Sequence, residues 1–327
     1  MPRRAHAGKE MVKGFGLQMF SEEELDDIHL ASLEILEKNG VKIGSEEALD
    51  IFSDGGAQVD RKDGIVKIPP YLVEEAINSA PSQIIMGGRD PANDLVLGDK
   101  RVHFTSFGEA IKVLDPFTGE YRDSLKKDCA NVGLMCDALE HIDIVLRPVT
   151  ASDKPSEIHS LHELDALFNN LTKPVFIGGI NKILTKKLIK MATAVAGGKD
   201  KLRERPLISI VVCPVSPLQI TEGSCDAVIE SARNGVPVNV LSMAMSGGSC
   251  PVTLAGTLVT HNVEVLAGLV LAQLTAKGAP VVYGSSTTIM DLKTTTATVG
   301  APELGMINSA VAKLAQYYLL PSWVAGG

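Results

Sequence analysis

Six apolar runs decide how this chain folds: DIVLRPV (143–149), PVFIGG (174–179), LISIVVCP (207–214), PVNVLSM (237–243), PVVYG (280–284) and SWVA (322–325). Stretches with helical spacing separate them, around 156–169, 185–195, 219–233, 253–274 and 302–317, so a strand and a helix recur about every 35 residues. The runs are continuous rather than alternating, as strands covered on both faces require. They give way to small or polar residues: Gly178 and Gly179, Pro214 to Ser216, Gly247 to Ser249, Ser285 to Thr288. Strand–helix repetition predicts a parallel sheet, closed either as a doubly wound open sheet or as a (β/α)8 barrel. No G-x-G-x-x-G opens a helix after any run, which weakens the dinucleotide-binding sheet. The expectation is an α/β fold, a TIM barrel incomplete here at about six strands. Chemistry in such a barrel sits at the C-terminal ends of the strands.

Upstream of the runs the pattern is that of an α+β cap. Residues 1–20 read as a loose arm. Ser21 is the expected N-cap of a helix, with Glu24 completing a capping box and the pair at 39–40 ending it. Short helices are expected at 46–52 and 70–79, strands at 64–68, 83–86, 101–104 and 111–114, and a turn at 115–119. The arm and cap are assigned to 1–121 and the first part of the barrel to 122–327, with the C-terminal strands lying beyond it.

Composition narrows the function. The 327 residues carry 31 basic and 39 acidic side chains, a net charge of −8, with 45% hydrophobic residues. An acidic balance argues against a nucleic-acid partner. No apolar run reaches the roughly 18 residues of a membrane span, and no h-region follows the basic N-terminus, so no membrane partner is expected. Five cysteines at irregular spacing form neither a disulfide framework nor a C-x-x-C knuckle, and the expected compartment is a reducing cytoplasm. Homo-oligomerisation stays open.

Several long motifs carry a resemblance. VPVNVLSMAMSGGS (236–249), PVTLAGTLVTHNVEVLAG (251–268), VYGSSTT (282–288), GAPE (300–303) and LPSWVAGG (320–327), with CPVSPL (213–218), FSEEEL (20–25) and VHFTSFG (102–108), closely resemble the trimethylamine:corrinoid protein methyltransferases. The resemblance covers essentially the whole chain and about two-thirds of a family member. It implies an enzyme of methylamine metabolism and methanogenesis that moves a methyl group from trimethylamine to the Co(I) of a cognate corrinoid protein. It implies no tightly bound cofactor of the chain's own, the corrinoid being carried by the partner. It also implies pyrrolysine, from an in-frame UAG codon, at position 328, which would make the chain a fragment inactive by itself. A member without pyrrolysine that demethylates glycine betaine or another quaternary amine remains an alternative. So does a non-catalytic chain that binds a corrinoid protein or a methylamine.

A methylated ammonium calls for aromatic faces and a carboxylate. Aromatic residues make up only 4% of the chain. The substrate-binding candidates are Tyr283, at the end of the fifth run, Phe104 and Phe107, with Met243 and Met245 around the end of the fourth. Trp323, between Ser322 and Val324, reads as packing, and any lone aromatic on an apolar strand has that reading open. The acidic candidates for catalysis are Glu303, Glu264 and Glu222. Glu264 and Glu303 have apolar neighbours, so each must be paired or used. Glu303 and Glu222 also fit first-turn carboxylates favoured by the helix dipole. Ser246, Gly247 and Gly248 form either a phosphate nest facing the corrinoid tail or a permissive turn. His159, His162 and Glu163 do not have the spacing of a zinc motif and read as exposed helical residues; no metal ligands are assigned.

Overall fold

The computed structural model describes residues 9–10, 20–99 and 101–325; most of the expected N-terminal arm lies outside them. The six runs form one all-parallel sheet of β1 (Val145–Leu146), β2 (Val175–Gly178), β3 (Ile208–Val212), β4 (Val238–Ser242), β5 (Val281–Ser285) and β6 (Ser322–Val324). Their order across the sheet is their order in the sequence. A doubly wound sheet reverses its strand order at a switch point. This one does not reverse, and it is the wall of a barrel. Helices α1 (His159–Asn170), α2 (Lys182–Ala196), α3 (Glu222–Asn234), α4 (Leu254–Thr275) and α5 (Pro302–Tyr317) alternate with the strands and cover the outer face.

One local expectation changes, and one helix is added. The helix expected from 219 starts at Glu222, because Gln219 and Ile220 pair in parallel with Lys42 and Ile43 of the cap. The segment before β1 also forms a helix, Lys126–Ala138, which packs on α1.

Strand register assigns every side chain to a face. Gly178, Val211, Asn239 and Val282 share one inward layer, and Leu241, Gly284 and Trp323 share the next towards the strand C-termini. Ile177, Ile210, Val238 and Val281, then Val212, Val240 and Tyr283, face the helices. The inner face has its own apolar cluster, in which Ile84, Met86, Leu95 and Leu97 meet Phe176, Val211, Leu241 and Val282. Those four cap residues lie on a β-hairpin, Ile84–Met86 with Leu95–Leu97. The cap therefore packs into the lower part of the lumen that the strands line.

Helix α4 joins the two parts. It is long and apolar enough to cross a membrane, yet here it is buried between β4 and β5 on one side and cap helices Glu22–Lys38, Glu46–Asp54 and Pro70–Ser79 on the other. The first of these helices carries the expected capping box of Ser21 and Glu24. Asn262 of α4 is the polar link. It donates to Ser32 Oγ (2.9 Å) and to Tyr318 Oη (2.8 Å), and accepts from Tyr283 Oη (2.7 Å). Tyr318 reaches His29 Nδ1 at 3.0 Å, and His29 Nε2 reaches Glu74 at 2.8 Å. Satisfied buried networks of this kind hold elements in one arrangement.

The network corrects one expectation. Tyr283 does not line the mouth; its ring is fully buried on the outer face, and its hydroxyl is spent on Asn262.

His261, beside Asn262, is fully buried, with Nδ1 3.1 Å from Thr287 Oγ1. Burial penalises the imidazolium and pushes its pKa down from 6.5 to about 3. In the unfolded chain the same ring protonates near 6.5. The folded form holds fewer protons between these values, so this contribution to stability is present above pH 6.5 and is lost as pH falls towards 3. Between pH 7 and 5 the loss amounts to about 2 kcal/mol. Urea titrations at the two pH values should show this loss in the wild type and its absence in His261→Gln.

Candidate active site

The C-terminal ends of the strands open on one side of the sheet, and the cap supplies a segment that lies along it. Residues 104–110 run parallel to β1, through the bridges Thr105 to Ile144 and Ala110 to Val149. Ser106 Oγ donates to the Leu146 carbonyl at 2.9 Å. Gly108 approaches the Arg147 carbonyl so closely that a Cβ would overlap it; only glycine lets the two backbones meet. This seating brings the Phe107 ring against the indole of Trp323, with centroids 6.4 Å apart and planes at 25°. β1 and β6 are the two edges of the sheet. The stack therefore spans the open side of the curled wall. Phe107 is 54% exposed and Trp323 only 7%, so the pair presents one wet aromatic face and one dry one.

Other sequence candidates fall around this point or away from it. Met243 follows β4 with inward parity and is exposed. Met245 lies in a small sheet after the strand ends, where Met245 and Ser246 pair with Thr288 and Ile289. Phe104 is exposed beside Asp143, at the N-terminal end of β1, three residues or about 10 Å below Phe107. It belongs to the opposite end of the strand from the mouth. The stretch Ser246, Gly247 and Gly248 is a turn that uses its own donors. Gly247 N–H donates to the Cys250 carbonyl, Gly248 N–H to the Met245 carbonyl, and Ser246 Oγ to the Val252 carbonyl. Of the two readings, the permissive turn fits: Gly247 and Gly248 have already spent their N–H groups within the loop.

The three carboxylates take different places. Glu264 is fully buried and clamps two strand ends: it accepts from Ser216 Oγ (2.9 Å), Leu218 N–H (2.9 Å) and Ser242 Oγ (2.6 Å). Burial holds its pKa above the usual carboxylate value, against the pull of those three donors. It fixes the loop after β3 to the end of β4 from behind the wall. Glu303 is half-buried in the first turn of α5, with no hydrogen-bond or ion-pair partner among the described residues. Glu222 is an exposed first-turn acid of α3.

Two features escaped the sequence. Arg147, just after β1, is buried between Glu109 and Glu163, reaching Glu163 at 2.6 Å. Glu163 also accepts from Ala151 N–H at 2.9 Å. It is thus fully buried rather than exposed, and His159 and His162 are half-buried, His159 Nε2 lying 3.0 Å from the Lys154 carbonyl. The other feature is Asn239, a polar side chain inside the lumen. The only signal for it was an asparagine at the centre of an apolar run.

A parallel wall in sequence order, covered by helices outside and by a cap hairpin inside, is that of a TIM-barrel protein, a fold whose chemistry sits at the strand C-termini. The comparisons narrow that class. Residues 3–327 match the trimethylamine methyltransferase family, and the chain belongs to it. It is 60% identical to the trimethylamine methyltransferase MttB of Desulfitobacterium hafniense over 98% of this chain and 65% of that protein. It is 29% identical to the glycine betaine methyltransferase of D. hafniense strain Y51, over 94% of this chain and 64% of that protein. The chain therefore spans a little under two-thirds of the length of these relatives. Its fold resembles the monomethylamine methyltransferase MtmB of Methanosarcina barkeri, with a TM-score of 0.52 at 13% identity, over 92% of this chain and 67% of that one.

Proposed function

We propose that the protein moves a methyl group from trimethylamine to the Co(I) of a separate corrinoid protein. The observation that carries this reading is the Phe107–Trp323 stack at the barrel mouth. Trimethylamine is largely protonated at neutral pH, and a methylated ammonium is held best against aromatic faces in a partly dry site. Met243 adds a soft apolar surface, and the unpaired Glu303 adds negative charge on the same side of the barrel. The reaction is a displacement at carbon. A C–Co bond forms with the cobalt electron pair, the C–N bond breaks, and its electrons leave with dimethylamine. The nucleophile comes with the partner, so the work of this chain is to bind the amine and aim one methyl outward. Pyrrolysine after Gly327 belongs to this reading, and sequencing the codons that follow tests it. The competing quaternary-amine reading has less support, since the glycine betaine methyltransferase is the more distant of the two named relatives.

The deciding experiment mixes the protein, expressed at the full length of its gene, with its corrinoid partner in the Co(I) state and follows the cobalt absorbance. Methylation with trimethylamine and none with glycine betaine is the expected result. The reverse pattern moves the assignment to the quaternary amine, and no methylation with either favours a binding protein.

A further inference from the structure

Two polar side chains on the inner face of the sheet stand out. Asn239 is 1% exposed, and neither its carboxamide oxygen nor its nitrogen has a hydrogen-bond partner among the described residues. The same holds for Trp323 Nε1. Buried polar groups in native proteins are almost always paired with protein, water or ligand, since leaving them unpaired is costly.

The two lie close together. Gly284 of β5 pairs in register with Trp323 of β6. A Cβ added at Gly284 would overlap the Asn239 carboxamide oxygen. The amide of β4 therefore lies across the bare backbone of β5 towards the indole. Glycine at 284 makes room for that amide in the layer that holds Leu241 and Trp323. Around the amide, Leu241, Val282 and Val211 are apolar. One polar group set in apolar and aromatic walls is what orients a small, mostly apolar ligand.

We infer that Asn239 sets the choice of amine: its carboxamide oxygen accepts the N–H of a protonated tertiary amine whose methyl groups lie against Trp323. This rests on the reading that the ligand is a methylated amine. A tertiary ammonium has a single N–H to offer. A quaternary ammonium puts a fourth methyl in its place, which leaves the acceptor unpaired and adds a carbon against the amide. Sites built around a hydrogen bond reject the analogue that lacks it far more strongly than apolar pockets reject an extra methylene.

Trimethylammonium and tetramethylammonium differ at that one position, so they are the probes. Each chloride is titrated calorimetrically into the protein at the full length of its gene, as wild type, Asn239→Leu and Asn239→Asp. The wild type should bind trimethylammonium at least about tenfold more tightly. Asn239→Leu keeps the shape without the acceptor and should bring the two affinities within about twofold, by weakening trimethylammonium. Asn239→Asp keeps an acceptor and should keep the preference. A wild type that binds both salts equally overturns the assignment, as does a leucine variant with the wild-type ratio or an aspartate variant without the preference. If the leucine variant fails to melt cooperatively, Asn239→Ala is read by the same ratio. Binding of neither salt by the wild type would instead overturn the methylated-amine reading itself, and the role of Asn239 with it.

Discussion

Replacing Glu163 by alanine should lower the stability of the protein by about 3–5 kcal/mol, the cost of leaving a buried charge without its partner. The charge is that of Arg147, whose guanidinium lies 2.6 Å from Glu163 and is almost wholly buried. Glu109 also touches it but is itself half-exposed, so it compensates only in part. The substitution additionally strips Ala151 N–H of its acceptor. Because Arg147 follows β1 and Glu163 belongs to α1, the pair ties the first strand of the wall to its covering helix. Glu163→Gln retains the volume and an acceptor for Ala151 and loses only the charge, so it should cost less, about 1–3 kcal/mol. Guanidinium titrations of the three proteins measure both differences. A loss under about 1 kcal/mol for the alanine variant would mean that water reaches Arg147 and the pair is merely a surface one.

How far the sequence could be read differs sharply between wall and site. The continuous runs and the helices between them announced a parallel barrel, and helix ends marked by Ser21, by Pro70 and by Pro302 fell within a residue of their expected places. Those signals are local. Which face of a strand a residue occupies is not local when both faces are apolar. In VVYGS every residue is buried, so nothing in the run tells inside from outside, and a shift of one residue exchanges the two. The sequence therefore places Tyr283 at the mouth and reads Trp323 as packing without any signal for the face that either occupies. Registered pairing turns Tyr283 towards α4 and Trp323 into the lumen.

Buried carboxylates show a second limit. An acid among apolar neighbours must be used or paired, which correctly marked Glu264, but its donors come from residues 216, 218 and 242, at distances along the chain that no spacing rule reaches. Glu163, beside two histidines on a helix, reads as exposed from the sequence, while its partner Arg147 lies just after the preceding strand. The choice between nest and turn at 247 and 248 is open in the sequence for a related reason. Whether a turn offers its N–H groups to a ligand depends on whether it has already bonded them to itself.

The largest functional effect is expected at Trp323. On the proposed reading, replacing it with leucine in the protein at the full length of its gene should raise the KM for trimethylamine about tenfold or more, since a desolvated cation–π contact contributes about 2 kcal/mol. Trp323→Phe keeps an aromatic face and should stay within about threefold of the wild type. Leucine is preferred to alanine because emptying this part of the inner cluster would cost about 3–5 kcal/mol of stability and confuse the result. The contrast separates two roles for the same indole. If Trp323 only packs against Phe107, both variants lose some stability and neither moves KM, because packing energy is equal in the free and amine-bound protein. If it holds the amine, KM follows aromatic character and not stability, so leucine and phenylalanine part company. Phe107→Leu then provides an internal check. Its ring is the wetter partner of the stack, and contacts shared with solvent contribute less, so its effect on KM should have the same sign as that of Trp323→Leu and be several-fold smaller. An equal or larger effect at Phe107 would place the amine on the outer ring and remove it from the lumen.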